Sequence, residues 1–346
     1  MKGLHHIVIE TSGLKYEFDI RRNITVIQGD SATGKTTLID MLSEYVSKGK
    51  NRGIIFNSDV PCDVYTGSED RWEYELKGMT GSIVFIDEDY RFIYRREFAE
   101  YIQSADNYFV LVTRKPIKNL PYSINEIYGI RTSGKYHFPE KVYHEFYPIY
   151  ADYNGIIDRS KLLVLVEDKE SGYQFFEKLV DYDKCISAEG NANVYIKMLE
   201  VKEENTMLIV ADGAAFGAYI DSVVKYSKIK NNIALYFPES FEWIILKSGV
   251  LNDKEIADIM DNPEEYIDST EYVSWERFFT ALLTEKTKDD SYRRYNKTSL
   301  NPYYCEETNL EKLQYVKYLM LLMIQDRRFL FPVIFLLLVF LLLARQ

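Results

Sequence analysis

The sequence predicts an α/β protein with two parallel-sheet domains followed by helices, and three observations carry that expectation. A glycine-bracketed loop from Gly29 to Thr36 lies between a short β-branched run, Ile24-Thr25-Val26-Ile27, and a helix-like stretch, Thr37 to Leu42. A second apolar run, Ile83-Val84-Phe85-Ile86, ends in Asp87-Glu88. From residue 161 onward, apolar runs alternate with helix-like segments, the pattern of a parallel sheet. The 346 residues are enough for two cores, and 47% hydrophobic residues predict a largely globular chain.

In chain order, residues 4–10 and 16–20 read as strands joined by a turn at Ser12-Gly13. The helix after the loop is expected to run to about Val46, where the basic, glycine-containing stretch 47–53 breaks it. Residues 53–56 read as a strand and 72–76 as a short helix within an otherwise polar and aromatic stretch. The run ending at Asp87-Glu88 reads as a buried strand, 95–103 as a helix, 108–113 as a buried strand ending in Arg114-Lys115, and 123–128 as one more strand. Residues 137–154 carry Pro139 and Pro148 and show no clean period, so they read as an interdomain connection.

The second domain opens with a strand over 161–166, ending in Glu167-Asp168. Helices are expected over 172–180, 193–201 and 214–226. Strands are expected over 186–188, over 207–211 ending at Asp212, and over 233–237 ending before Glu239 and Glu242. Helical spacing returns over 253–260, 275–283 and 310–324. The expected boundaries are 1–142, a linker over 143–160, then 161–250, a helical extension over 251–326, and an apolar tail over 327–346.

Gly29, Asp30, Ser31, Ala32, Thr33, Gly34, Lys35 and Thr36 fit G-x-x-x-x-G-K-[ST], the phosphate-binding P-loop, in the strand–loop–helix setting the pattern requires. The two glycines let the backbone turn its N–H groups inward on a polyphosphate, and the helix start adds partial positive charge. These eight residues and Thr37 are the expected nucleotide contacts. Lys35 reaches the β- and γ-phosphates, and Thr36 ligates Mg²⁺. The run ending in Asp87-Glu88 fits a Walker B strand. Asp87 then holds the nucleotide's Mg²⁺, and Glu88 orients or deprotonates the attacking water. Arg114 is either a γ-phosphate sensor or a solvated strand end. In the second domain the strand-end acids Glu167, Asp212, Glu239 and Glu242 are candidate ligands for a second metal site, because carboxylate oxygens suit Mg²⁺ or Mn²⁺. The alternative is that they are ordinary polar strand ends.

A net charge of −11 gives no whole-protein attraction for nucleic acid and leaves any such contact to a local patch. Tyr292-Arg293-Arg294-Tyr295-Asn296-Lys297 interleaves aromatics with cations and reads either as such a patch or as a solvated loop. Three scattered cysteines and four unclustered histidines show no metal-ligand spacing; the cysteines read as reduced thiols of a cytoplasmic protein. The first residues alternate polar and apolar, which reads as no signal peptide. Residues 329–344 are unbroken apolar and flanked by arginines; as a helix they would span roughly 24 Å, so they read as a membrane tail anchor or as a buried terminal helix.

The hairpin leading into strand, P-loop and helix resembles the start of an ABC-type ATPase domain, and that resemblance implies ATP as the nucleotide. The sequence departs from it where a switch histidine is usual, since Arg114 stands there. An LSGGQ-like signature and a clear Q-loop glutamine are also missing. Residues 161–250 resemble a TOPRIM (topoisomerase–primase) domain, with a glutamate after the first strand and an aspartate after a later one. Its second Asp-x-Asp acid is replaced, since Asp212-Gly213-Ala214 stands there, and Asp168 follows Glu167 where glycine is usual. The combination resembles the OLD (overcoming lysogenization defect) nucleases and the ATPase-plus-TOPRIM modules of phage defence. It implies a P-loop ATPase gating a metal-dependent nuclease in phage defence or mobile-element biology, acting on DNA or RNA. The alternative is a non-catalytic ATP-dependent switch whose degenerate second domain binds a protein partner or a second copy of the chain.

Overall fold

The structure is a computed structural model and describes residues 1–29, 34–48, 53–132, 141–150, 158–180, 184–202 and 204–313. The chain divides into two compact units. The first takes Met1–Tyr153 together with two later segments, Asp212–Lys225 and Asp261–Phe278. The second takes Asn154–Ala211, Tyr226–Met260 and the chain from Phe279 onward.

The first unit is built on a nine-stranded sheet. In chain order its elements are β1 (His5–Glu10), β2 (Leu14–Ile20), β3 (Ile24–Gln28), α1 (Lys35–Lys48), β4 (Ile55–Asn57), β5 (Cys62–Val64), α2 (Trp72–Lys77), β6 (Ser82–Ile86), α3 (Arg96–Ile102), β7 (Asn107–Thr113), β8 (Ile127–Thr132) and β9 (Val142–Pro148). The spatial order is β4-β1-β2-β9-β8-β3-β7-β6-β5. The half from β8 to β5 is parallel throughout, while β1 pairs antiparallel with β2 and with β4, and β8 antiparallel with β9. Strands β6 and β7 are buried along their whole length, as expected for central parallel strands covered on both faces. On one face Tyr108, Val110 and Val112 of β7 pack with Leu38, Ile39 and Leu42 of α1. On the other, Phe109 meets Phe98 of α3, which also meets Trp72 of α2. The alternation along β7 therefore feeds two cores.

The two later segments are stitched into this unit. The Ile124 amide donates to the Gly213 carbonyl and the Gly217 amide to the Tyr122 carbonyl, both at 2.9 Å. The Asn23 side chain donates to the Val273 carbonyl at 2.8 Å, and the Arg22 guanidinium lies 3.5 Å over the Trp275 ring.

The second unit carries a four-stranded, wholly parallel sheet ordered β11-β10-β12-β13. The remaining elements in chain order are β10 (Leu162–Val166), α4 (Ser171–Val180), β11 (Cys185–Ser187), α5 (Asn191–Leu199), β12 (Thr206–Val210), α6 (Ile220–Ile229), β13 (Ile233–Tyr236), α7 (Phe241–Lys247), α8 (Lys254–Asp261), α9 (Trp275–Thr287) and α10 (Glu307–Leu313). The α/β class and the large-sheet, small-sheet division match the sequence expectation.

Local expectations fail at identifiable places. Residues 142–148, expected within a connection, form β9, which fills the sheet between β2 and β8 and stacks Phe146 on Phe18 at 4.0 Å. A 3-10 turn, Ile124–Glu126, replaces the start of the expected strand over 123–128, because the Ser123 hydroxyl accepts from the Asn125 amide and curls the chain. The helix expected from residue 214 starts only at Ile220, since the backbone before it is spent on bonds to Tyr122 and Ile124. The helix expected over 310–324 starts at Glu307 and is described as far as Leu313. The apolar run over 329–344 lies outside the described residues. Among the described residues no helix is long and apolar enough to cross a membrane.

Candidate functional site

Parallel register assembles one edge of the first unit's sheet. β7 lies between β3 and β6, with Gln28 level with Thr113 and Ile86 level with Leu111. All three strands run the same way, so Gly29, Arg114 and Asp87-Glu88 leave the sheet on the same side. The C-terminal edge of such a sheet is where ligands bind in α/β proteins.

Gly29 and the start of α1, the described ends of the glycine-bracketed stretch, flank this edge. Gly29 has φ of 152° and Gly34 of 93°, backbone that L side chains rarely adopt. A Cβ at Gly34 would stand 2.8 Å from the Tyr16 hydroxyl, so glycine is required by contact as well as by conformation. That hydroxyl donates to the Gly34 carbonyl at 2.9 Å. Tyr16 is buried, which pushes its phenol up to about 12. His144 of β9 stacks on it at 4.8 Å, and burial lowers the imidazole's affinity for a proton. Lys35 opens α1 and is buried; its Nζ donates to the Gly29 carbonyl at 2.5 Å. Thr36 and Thr37 are exposed at the helix start. Asp30, Ser31, Ala32 and Thr33 lie outside the described residues.

No protein family and no curated protein sequence matches the chain. Its site is therefore argued from geometry.

Asp87 is partly buried; burial raises its carboxyl above the usual range, and Asp89, Glu88 and Asp40 add to the rise, while the Glu88 amide opposes it by donating to Oδ1 at 2.8 Å. Glu88 is held by a two-pronged contact: Arg114 Nε to Oε2 at 2.7 Å and Nη2 to Oε1 at 2.6 Å. Beside them the Thr113 hydroxyl bonds the Tyr94 hydroxyl at 2.6 Å and the Lys115 backbone on both sides. The Thr36 hydroxyl and the Asp87 carboxylate are hard oxygen donors of the kind Mg²⁺ takes.

In the second unit, Glu167 follows β10 directly, and Glu239 lies between β13 and the Ser240 cap of α7. Asp212 follows β12 by two residues and opens a segment of the first unit. Glu242, the remaining candidate, is buried at 1% exposure. Its Oε1 accepts from the Tyr295 hydroxyl at 2.6 Å, Tyr295 bonds Ser171 at 2.7 Å, and Lys297 Nζ stands 3.9 Å from the same oxygen. Among the described residues no group of three or more His, Cys, Asp and Glu is arranged to hold a metal ion. The aromatic and cationic stretch 292–297 is built into this unit: Tyr295 is buried, Tyr292 bonds Glu306, and Arg293 pairs with Asp290.

Sequence reasoning missed Tyr16 and His144. The signal for Tyr16 was present, since Tyr16, Phe18 and Ile20 alternate along β2 and all face inward. His144 carried none, because its strand was hidden in an aperiodic stretch.

Proposed function

We propose that the first unit binds and hydrolyses ATP and that nucleotide state governs the second unit. One observation carries the reading: the β3-β7-β6 register puts Gly29, Arg114 and the Asp87-Glu88 pair at one sheet edge, and the Lys35 ammonium bonds the Gly29 carbonyl there. The finer assignments, an ABC-like P-loop domain and a TOPRIM-like domain, rest on the sequence motifs and agree with a mixed sheet followed by a smaller parallel one.

In this reading Gly29, Gly34 and the start of α1 bind the phosphates through backbone N–H groups. Lys35 leaves the Gly29 carbonyl for the β- and γ-phosphates. Thr36 and Asp87 hold Mg²⁺, which offsets charge on the phosphate oxygens. Glu88 orients the attacking water and takes its proton. Single-turnover hydrolysis is the test: wild type releases phosphate, and Glu88→Gln slows release by about a hundredfold or more while still binding ATP. Equal rates in the two proteins would remove Glu88 from the reaction.

For the second unit the nuclease reading, with Glu167 and Glu239 following strands of the four-stranded sheet and Mg²⁺ or Mn²⁺ as the ion, rests on the sequence resemblance alone, because no group of three acids among the described residues is arranged for a metal. The switch reading is favoured by one observation, the engagement of Glu242 with Tyr295. Plasmid cleavage separates them. Metal-dependent cutting lost in Glu167→Ala supports the nuclease; intact plasmid with ATP still bound supports the switch and a protein partner.

A further inference from the structure

We propose that Arg114 is a γ-phosphate-responsive latch on Glu88, an inference that rests on the ATP-binding reading above. The Arg114 guanidinium grips both carboxylate oxygens of Glu88, at 2.6 and 2.7 Å. A bound triphosphate takes the guanidinium and releases the carboxylate; a diphosphate leaves the latch shut.

Placement makes the exchange local. Arg114 directly follows β7, the strand between β3, which leads into the phosphate loop, and β6, which leads into Asp87-Glu88. The register puts Thr113 level with Gln28, so Arg114 is level with Gly29 across one strand spacing. A long side chain rooted there can serve either neighbour by rotamer change alone, without moving the sheet.

Energetics make it reversible. The pair is open to water, with Arg114 at 56% and Glu88 at 27% exposure, and ion pairs so exposed are weak. The fork geometry still gives the contact a defined shape, and a phosphate presents the same paired oxygens with more charge. Lys35 behaves in parallel, its ammonium held on the Gly29 carbonyl at 2.5 Å. Arg114 and Lys35 thus each rest on an internal oxygen that an incoming polyphosphate can replace. Asp87, Glu88 and Asp89 crowd the same place with negative charge, so a cation that can turn toward the terminal phosphate offsets repulsion that a diphosphate does not meet.

The test is equilibrium binding of ADP and of the β,γ-imido analogue of ATP, each with Mg²⁺, to the full chain. Wild type, Glu88→Gln, Arg114→Ala and the double variant are compared. Glu88→Gln loosens the latch and is expected to tighten the triphosphate analogue about tenfold, with ADP unchanged within about twofold. Arg114→Ala is expected to weaken the analogue about tenfold, with ADP again unchanged. In the double variant the gain from Glu88→Gln disappears. Unchanged ADP binding also reports that each variant is folded. A gain that survives without Arg114 would assign it to charge removal alone and overturn the latch, as would equal shifts for both nucleotides. If neither nucleotide binds wild type, the ATP-binding reading itself fails and the latch fails with it.

Discussion

At the scale of single residues, Gly34 and Tyr16 are fitted to each other at the start of α1. Adding a Cβ at Gly34 meets the Tyr16 hydroxyl at 2.8 Å in a backbone of φ 93°. Gly34→Ala is expected to lower stability by about 1–2 kcal/mol from backbone strain alone. Part of the total loss is relieved in a Tyr16→Phe background, where the clashing oxygen is gone, and chemical denaturation of the four proteins measures that coupling. Behind Tyr16, burial lowers the proton affinity of His144 below its ordinary value. A depressed histidine contributes stability that is present above the unfolded value of 6.5 and is lost as pH falls through the folded value. His144→Phe keeps the stack on Tyr16 and is expected to flatten the stability–pH curve below about pH 6.5. Melting temperatures measured across that window check it; an unchanged slope would mean that the imidazole does not titrate between the two states. Of these residues the glycine was legible from its motif. Tyr16 was half legible from alternation, and His144 was not, because a stack between β2 and β9 exists only once the two strands are paired.

Elements show why the central strands could be read and the peripheral ones could not. β6, β7, β10 and β12 are continuous apolar runs, and burial on both faces requires such runs. β5 is three residues long and β9 sets His144 and Glu145 side by side among aromatic rings with no alternation, so neither stands out by composition. β8 is anchored by a feature that reads as an ordinary acid in sequence. Glu126 is fully buried, accepts from Arg21 at 2.9 Å and Arg22 at 3.1 Å on one oxygen, and accepts from Tyr128 at 3.0 Å on the other. Removing one side of a buried ion pair strands the other, at a cost of about 3–5 kcal/mol. Glu126→Ala is expected to destabilise by that amount, read as a large drop in melting temperature. Arg21 is 39% exposed and shares the same oxygen, so Arg21→Ala is expected to cost less than Glu126→Ala.

The whole molecule does not partition where composition shifts. The first unit recruits Asp212–Lys225 and Asp261–Phe278 from beyond its expected boundary at residue 142. Those segments supply the Gly213 and Val273 carbonyls, the Gly217 amide and the Trp275 ring under Arg22. A fragment ending at residue 153 lacks them all. It is expected to express as an unstable or aggregating chain, whereas the full chain melts cooperatively; circular dichroism and size-exclusion profiles compare the two. A fragment as stable as the full chain would make the later segments accessory. Sequence reading found the two sheets because their strands are local runs. It missed the exchange of segments because single hydrogen bonds between residues 89 or more positions apart leave no periodic trace. The candidate site stood out in the sequence for the opposite reason: Gly29, Gly34, Lys35 and Thr36 lie within eight residues, and Asp87-Glu88 ends a strand. The Arg114–Glu88 contact needed the sheet order before it could be seen.

The most direct measurement is calorimetric titration of Mg²⁺-ATP into the full chain, wild type against Lys35→Ala. The account predicts one saturable site in wild type. In the variant, loss of a charged contact to the phosphates weakens affinity by about tenfold to a hundredfold, with the melting temperature in the absence of nucleotide little changed. Absence of binding in wild type, or equal affinity in a folded Lys35→Ala variant, would contradict the claim that this sheet edge is a nucleotide site.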